Sequence, residues 1–201
     1  MSGPAPSVYQ YTLAEFRSWC RATRSSLGAW KLCALGLKPL FERLKSSAMP
    51  TLVVFEPQSR LGEPESLPSW TESCQVAWPT ASGHVGLCDP AQLKAHPQWT
   101  IRLAPDSAPN AEPDVILVPC EAADRSGARL GRGSGFYDRL LAQYPQALRI
   151  GIVHASRLLE RFSPQWIQPH DAVLDAVWTQ NEFFWTSQPT RQSLMLQRSS
   201  L

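Results

Sequence analysis

Residues 114–144 read DVILVPCEAADRSGARLGRGSGFYDRLLAQY, a stretch in which a strand, a glycine-rich loop and a helix are predicted in turn. In the run Asp114–Val118, the four residues after Asp114 are all apolar, as is typical of a strand that is covered on both faces. Glycine then alternates with other residues from Gly131 to Gly135, and apolar residues at helical spacing follow over 136–144. The order of strand, loop and helix predicts one unit of an α/β fold.

Working outward, further strands and helices alternate along the chain. Strands are predicted at Thr51–Phe55, Gln75–Trp78, Leu148–Val153 and Ala176–Thr179. One helix is predicted to begin at a capping box of Thr12 and Glu15, with Leu13, Phe16, Cys20 and Leu27 on one face. A second is predicted over Ala29–Ser46 with a break near Pro39, and a third over Ser156–Phe162. This alternation predicts an α/β fold, a mostly parallel sheet with helices on both faces.

Composition limits the class of protein. The chain has 201 residues, of which 43% are hydrophobic and 18% charged, with a formal net charge of +2. One globular domain over 12–190 is expected, between a flexible tail at 1–11 and a C-terminal tail at 191–201. The five cysteines form no CxxC pair, which disfavours a zinc site or a disulfide framework. With no apolar run of membrane-spanning length and no secretory signal, we expect a cytoplasmic protein that contacts neither membrane nor nucleic acid.

Proline is unevenly distributed. Eleven of the 18 prolines fall between Pro50 and Pro119. Because proline fixes φ and lacks an N–H donor, this middle third is predicted to consist of short strands joined by irregular loops.

The glycine-rich loop has the residue types of an anion site. Glycine lets the backbone approach a ligand closely, and the helix that follows aims its free N–H groups back at the loop. Arg129, Arg132 and Arg139 add positive charge suited to a polyphosphate, and Asp138 is placed to hold Mg²⁺ against phosphates. The pattern fits neither a Walker loop nor a Rossmann fingerprint, and a glycine-rich turn with solvated arginines is an equally open interpretation.

A longer pattern around this loop resembles a known family. The run V-P-x₄-D-x-x-G-x-R-L-G-x-G-x-G-x-Y-D, over 118–138, is similar to the signature of the 5-formyltetrahydrofolate cyclo-ligase family, also called methenyltetrahydrofolate synthetase. The segment Pro169–Thr179 resembles the family's H-D-x-x-L-D motif, and Phe16–Arg24 resembles its opening basic helix. The resemblance implies the fold that sugar-phosphate isomerases and CoA transferases share.

The resemblance also implies a reaction. Members of the family convert 5-formyltetrahydrofolate and ATP, with Mg²⁺, into 5,10-methenyltetrahydrofolate, ADP and phosphate. The formamide oxygen is a poor leaving group until it is phosphorylated, after which N10 attacks the same carbon and phosphate departs. Such chemistry asks the protein mainly for positioning and for charge stabilisation. We therefore expect ATP and Mg²⁺ as cofactors, small-molecule substrates and a monomeric enzyme.

Residue roles follow from the same resemblance. It implies catalytic roles for Arg129 and Tyr137, and metal binding by Asp138 and Asp171. ATP would contact Arg17, Arg129, Leu130, Gly131, Arg132, Gly133, Ser134, Gly135, Phe136 and Tyr137. The folate would contact Phe55, Glu63, Arg132, Gly133, Ser134, Gly135 and Phe136, with Glu56 as the alternative to Glu63.

Structural interpretations stand beside these roles. Arg17, Arg21 and Arg24 form a basic face that solvent alone could cover. Asp171 could cap a helix, Asp175 could pair with a cation, and acidic residues are usually surface features. His170 is as well explained by packing or capping as by acid–base catalysis, and Tyr137 could belong to the core.

The chain also departs from the family pattern. Leu13 stands where the family has a lysine, Ser73-Cys74 stands in place of Gly-Lys, Ala104-Pro105 in place of Glu-Pro, and Phe136 in place of a tyrosine. Each missing lysine removes a cation of the kind that binds phosphate. Two hypotheses are therefore open: an active cyclo-ligase, or a homologue that binds nucleotide or folate without turnover.

Overall fold

The computed structural model describes residues 11–33, 49–58, 62–67, 74–97, 101–168 and 171–186. The helices in these ranges are α1 (Leu13–Ala22) and α2 (Phe136–Gln143). The strands are β1 (Thr51–Val53), β2 (Gln75–Pro79), β3 (Val85–Gly86), β4 (Lys94–Ala95), β5 (Arg102–Leu103), β6 (Val115–Pro119), β7 (Ala122–Asp124), β8 (Arg129–Leu130), β9 (Leu148–Ile152), β10 (Leu158–Leu159), β11 (Ala176–Trp178) and β12 (Phe183–Trp185).

A seven-stranded sheet organises the chain in the order β12-β11-β9-β6-β1-β2-β3. The five inner strands run parallel, and β3 and β12 pair antiparallel at the two edges. These five are the strands predicted from the sequence, with bounds that differ by one or two residues. The predicted α/β class with a mostly parallel sheet is therefore confirmed.

The central strands are buried on both faces because their side chains alternate between two apolar clusters. Leu52 and Leu117 belong to one cluster, and Val53 and Ile116 belong to the other. Leu140 and Leu141 of α2 pack into the second cluster, so this helix covers one face. In the described part of the chain, connecting segments cover the opposite face, among them the segment that contains Trp30. The expectation of helices on both faces of the sheet therefore stays a prediction.

A second, three-stranded sheet of order β10-β7-β8 lies against α1. Phe16 and Cys20 of α1 are buried among residues that include Leu159 and Trp166. The predicted capping box is confirmed: the Glu15 N–H donates to Thr12 Oγ1 at 3.3 Å, and the Thr12 N–H donates to a Glu15 carboxylate oxygen at 2.8 Å. The helix ends at Ala22, so Leu27 falls in a following 3-10 turn, Arg24–Leu27.

Two helix predictions fail in the described residues. Over Ser156–Phe162 the chain forms the 3-10 turn Ala155–Arg157 and then β10, which pairs with β7. Residues 29–33 are not helical, because Gly28 takes a φ of 65° and the Cys33 N–H donates to the Thr179 carbonyl at 3.1 Å. The rest of that predicted helix, at 34–46, lies outside the described residues, as do 1–10 of the predicted N-terminal tail, the end of the predicted domain at 187–190 and the predicted C-terminal tail at 191–201.

The proline-rich middle third has the predicted character where it is described. Strands β1 to β6 are two to five residues long and are joined by irregular segments. No helix in the described ranges is long and apolar enough to cross a membrane.

Candidate functional site

The sheet has a switch point between β1 and β6. From β1 the chain continues to β2 on one side, while β6 continues to β9 on the other. Open α/β sheets bind ligands at such a point, outside the carboxyl ends of the strands. Glu121, two residues beyond β6, and the loop that follows β8 lie at this end of the sheet.

The loop between β8 and α2 depends on two glycines with positive φ. Gly133 has a φ of 90°, and Gly135, the N-cap of α2, has a φ of 64°. Side chains with a Cβ rarely adopt this left-handed region. The loop leads directly into α2, whose first N–H groups are directed back toward the loop.

This loop forms one wall of a cavity of about 640 Å³, within the size range of small-molecule sites. The cavity is lined by Leu13, Arg17, Arg21, Arg24, Ile101, Pro119, residues 129–138, Trp166, Gln168 and Asp171. The lining therefore joins α1, the end of β6, the glycine loop, the start of α2 and the segment before β11.

Positive charge dominates the lining. Five arginines, Arg17, Arg21, Arg24, Arg129 and Arg132, face two aspartates, Asp138 and Asp171. A cavity of this charge attracts polyanions, and the planar guanidinium group matches phosphate or carboxylate oxygens.

Several buried donors on this lining have no hydrogen-bond partner among the described residues. They are Arg17 Nε, Arg129 Nε, Trp166 Nε1 and Tyr137 Oη. Buried polar groups in proteins are nearly always paired, so unpaired donors around one cavity call for an acceptor-rich ligand. The donor set fits a nucleotide polyphosphate.

The two aspartates sit differently. Asp138, in the first turn of α2, is ion-paired with Arg129, whose side chain is 4% exposed. Asp171 accepts a hydrogen bond from the Gln168 N–H at 2.8 Å. Three metal-ligating side chains do not cluster anywhere in the described ranges. Mg²⁺ usually takes only one or two protein carboxylates beside phosphate oxygens and water, so this pair fits that ion.

Glu63 lies beside the glycine loop through an ion pair with Arg132. Its second carboxylate oxygen accepts the Gln58 N–H at 2.6 Å. Burial raises the pKa of Glu63, an effect that Arg132 opposes. Burial likewise raises the pKa of Tyr137, so its hydroxyl stays protonated and acts as a donor.

Comparison with known proteins agrees with the motifs. The model of the 5-formyltetrahydrofolate cyclo-ligase family matches residues 40–180 of the chain. The chain belongs to this family. A 5-formyltetrahydrofolate cyclo-ligase from Mycolicibacterium smegmatis is 48% identical over 69 residues, 34% of this chain and 34% of the relative. One from Escherichia coli is 37% identical over 87 residues, 41% of this chain and 46% of the relative. The matches thus span less than half the length of these curated relatives.

The fold agrees as well. The solution structure of 5,10-methenyltetrahydrofolate synthetase from Aquifex aeolicus superposes with a TM-score of 0.60 at 23% identity, covering 87% of this chain and 93% of that one. This chain therefore shares the fold of that structure over most of its length.

The structure brings most of the predicted cyclo-ligase site together. Arg17, residues 129–138 and Asp171 line the same cavity. Glu63 contacts the loop, whereas Glu56, its alternative, pairs with Arg102 at 2.8 Å. Phe55 is 4% exposed and packs in the core, so it does not lie on the cavity wall. Residues 169–170, and with them His170, lie outside the described residues.

The alternatives for individual residues also resolve in part. Tyr137 combines both interpretations, because it packs against the core and lines the cavity. Asp175 is buried and accepts the Arg149 backbone N–H at 2.8 Å, which is a structural role. Arg21 and Arg24 border the cavity, so the basic face of α1 is not merely solvated.

Sequence reasoning did not identify Glu121, Arg157, Trp166 or Gln168. Glu121 had a usable signal, because it follows a buried strand at the edge where α/β sheets bind ligands. Arg157 was hidden inside a stretch whose spacing predicted a helix. Trp166 and Gln168 lie on a proline-bounded segment with no motif of its own, and only the fold places them on the cavity.

Proposed function

We propose that this chain is an ATP- and Mg²⁺-dependent enzyme that converts 5-formyltetrahydrofolate into 5,10-methenyltetrahydrofolate, with release of ADP and phosphate. The main support is that the family's glycine-loop motif forms a wall of an arginine-lined cavity. Asp138 and Asp171 lie on the same lining.

The arginines take the nucleotide side of the reaction. The buried Nε donors of Arg17 and Arg129 lie on the cavity lining without a partner among the described residues, and they would donate to phosphate oxygens. The loop adds backbone N–H groups at the start of α2, where the helix dipole favours negative charge. Together they would stabilise the charge that develops as the phosphoryl group is transferred.

Magnesium would be held by Asp138 and Asp171, and it supplies charge neutralisation on the phosphates when bound. Asp138 is paired with Arg129. Holding the ion would therefore require this carboxylate to exchange its guanidinium partner for the cation, while Arg129 turns to phosphate.

The folate side would be formed by Glu63, the loop residues 132–136 and Tyr137. Glu63 is a buried carboxylate that pairs with Arg132 of the loop, and the protonated Tyr137 hydroxyl has no partner within the described part of the chain. These groups can orient a polar heterocycle by accepting and donating hydrogen bonds. The exclusion of water at these buried atoms would protect the phosphorylated intermediate from hydrolysis.

An absorbance assay for methenyltetrahydrofolate, run with and without ATP and Mg²⁺, tests the proposal. We expect product that depends on both. Folate binding without product, in a folded sample supplied with both, would contradict it.

A second candidate is a homologue that binds its ligands without efficient turnover. Leu13 favours it, because this apolar residue lines the cavity at the position where the family has a lysine. The same assay, combined with calorimetric titration of ATP and folate, separates the two: binding of both with no product supports this candidate.

A further inference from the structure

Glu121 is a buried carboxylate that accepts hydrogen bonds from three arginines. Its side chain is 4% exposed. One oxygen accepts from Arg24 Nη2 and from Arg132 Nε, the latter at 3.3 Å. The other accepts from Arg24 Nε at 3.3 Å and from Arg157 Nη1 at 3.2 Å. Both oxygens are therefore fully engaged.

The three arginines come from three separate segments. Arg24 follows α1, Arg132 belongs to the glycine loop, and Arg157 precedes β10. Arg24 and Arg132 line the cavity, whereas Arg157 is 2% exposed and donates to the Cys20 carbonyl at 2.6 Å. One carboxylate thus joins the end of α1, the loop and the end of the sheet.

Charge explains why this carboxylate matters. Three guanidinium groups that converge without a carboxylate between them would repel one another, and a buried unpaired cation is costly. Arginine side chains also lose considerable rotamer entropy when they are held in one direction. The fork that Arg24 presents through Nε and Nη2 fixes its plane as well as its position.

We propose that Glu121 is a positioning residue that holds the guanidinium groups of Arg24 and Arg132 in place for the phosphates of ATP. The proposal rests on the proposed function, which assigns ATP to this cavity. Glu121 itself is buried behind the two arginines and acts through them.

A double-mutant cycle of Glu121→Gln and Arg24→Gln tests this role. Each single variant should raise the KM for ATP about tenfold, the value of one charge-assisted contact, with kcat within about twofold. Because Glu121 acts in part through Arg24, the double variant should raise the KM by clearly less than the product of the two single effects. Independent effects that multiply to about a hundredfold would overturn the proposal, as would an unchanged KM in Glu121→Gln.

Arg24→Lys covers the case in which Glu121→Gln does not fold. Arg24 is 21% exposed and lysine keeps its charge, but lysine cannot reproduce the two-nitrogen fork. We expect a raised KM for ATP in this variant, and an unchanged KM would overturn the positioning role. Glu160→Gln, which alters an exposed ion pair with Arg125, is the matched control and should leave the KM unchanged.

Direct titration of Mg·ATP separates this proposal from the proposed function. A wild-type chain that binds ATP without forming product contradicts the enzyme, and the ratios of dissociation constants then decide the role of Glu121. A wild-type chain that binds no ATP overturns both.

Discussion

Arg132 of the glycine loop is ion-paired with Glu63, a buried carboxylate that lies 69 residues earlier in the chain. The same guanidinium group donates through Nε to Glu121. Two acids from two distant segments therefore fix one side chain of the loop. These two ion pairs fix the direction of the Arg132 guanidinium group beside the cavity.

The buried state of Glu63 predicts a pH dependence of stability. Burial raises the pKa of Glu63 above its ordinary 4.5. The folded protein then binds this proton more tightly than the unfolded chain, so the contribution of Glu63 to stability falls as the pH rises from 4.5 through the folded pKa. Because glutamine does not titrate, Glu63→Gln should not lose stability in this pH range for that reason.

Thermal unfolding across this range checks the sign. The Tm of Glu63→Gln minus that of the wild type should increase with pH between about 4 and 8. The exposed Glu160→Gln serves as the control, with a flat difference. A difference for Glu63→Gln that stays flat or decreases would show that burial does not control this carboxyl.

Asp138→Asn should raise the Mg²⁺ concentration needed for half-maximal activity by about tenfold or more, because the amide keeps the size of the side chain but loses its charge. Folate binding should change much less. A magnesium titration of the rate checks this, with Asp106→Asn as the control, since Asp106 is an exposed carboxylate bonded to Ser82. Equal metal dependence in Asp138→Asn and the wild type would remove Asp138 from the metal site.

Arg129→Gln should raise the dissociation constant of ATP at least about tenfold, because it deletes a buried cation of the cavity. Calorimetric titration measures the constant directly. Arg125→Gln is the matched control, since Arg125 lies in the same hairpin but pairs with Glu160 and Glu182 on the surface. Should Arg129→Gln bind ATP as well as Arg125→Gln does, Arg129 would not belong to the phosphate site.

Gly133→Ala should destabilise the fold by about 1–2 kcal/mol through backbone strain alone. Its φ of 90° disfavours any side chain, although a Cβ there would meet no atom within 4 Å. Gly131→Ala is the control, because its φ lies outside the left-handed region and its Cβ would lie 3.3 Å from Arg129 Nη1. Urea unfolding of both variants gives the comparison, and equal stability would contradict the strain.

The spacing of residues along the sequence identified those elements whose formation depends on neighbouring residues. The apolar run before Pro119 became the buried β6, and the spacing of Phe136, Leu140 and Leu141 became α2. Thr12 and Glu15 cap α1 as their spacing predicts. In each case the residues that decide the structure lie within one helical turn or one strand, so neighbours in sequence carry the information.

Contacts between distant residues overrode local pattern elsewhere. The spacing over Ser156–Phe162 predicts a helix, yet Arg157 is drawn into the ion pair with Glu121, 36 residues away, and β10 pairs with β7. Leaving a buried charge without its partner costs more free energy than a short segment gains from helical hydrogen bonds. Phe55, which was predicted to contact the folate, packs in the hydrophobic core instead, among residues that are distant in sequence.

The sequence by itself determined the class of fold, the glycine loop and the family, since these rest on strand patterns and on motifs that are continuous in the chain. Only the tertiary structure decided that Glu121 joins Arg24, 97 residues away, to Arg132 and Arg157. It also placed Trp166 and Arg21 on the cavity lining. The physical reason is that ion pairs and cavity walls depend on distances in space, which the packing of α1 against the small sheet sets and which no local spacing records.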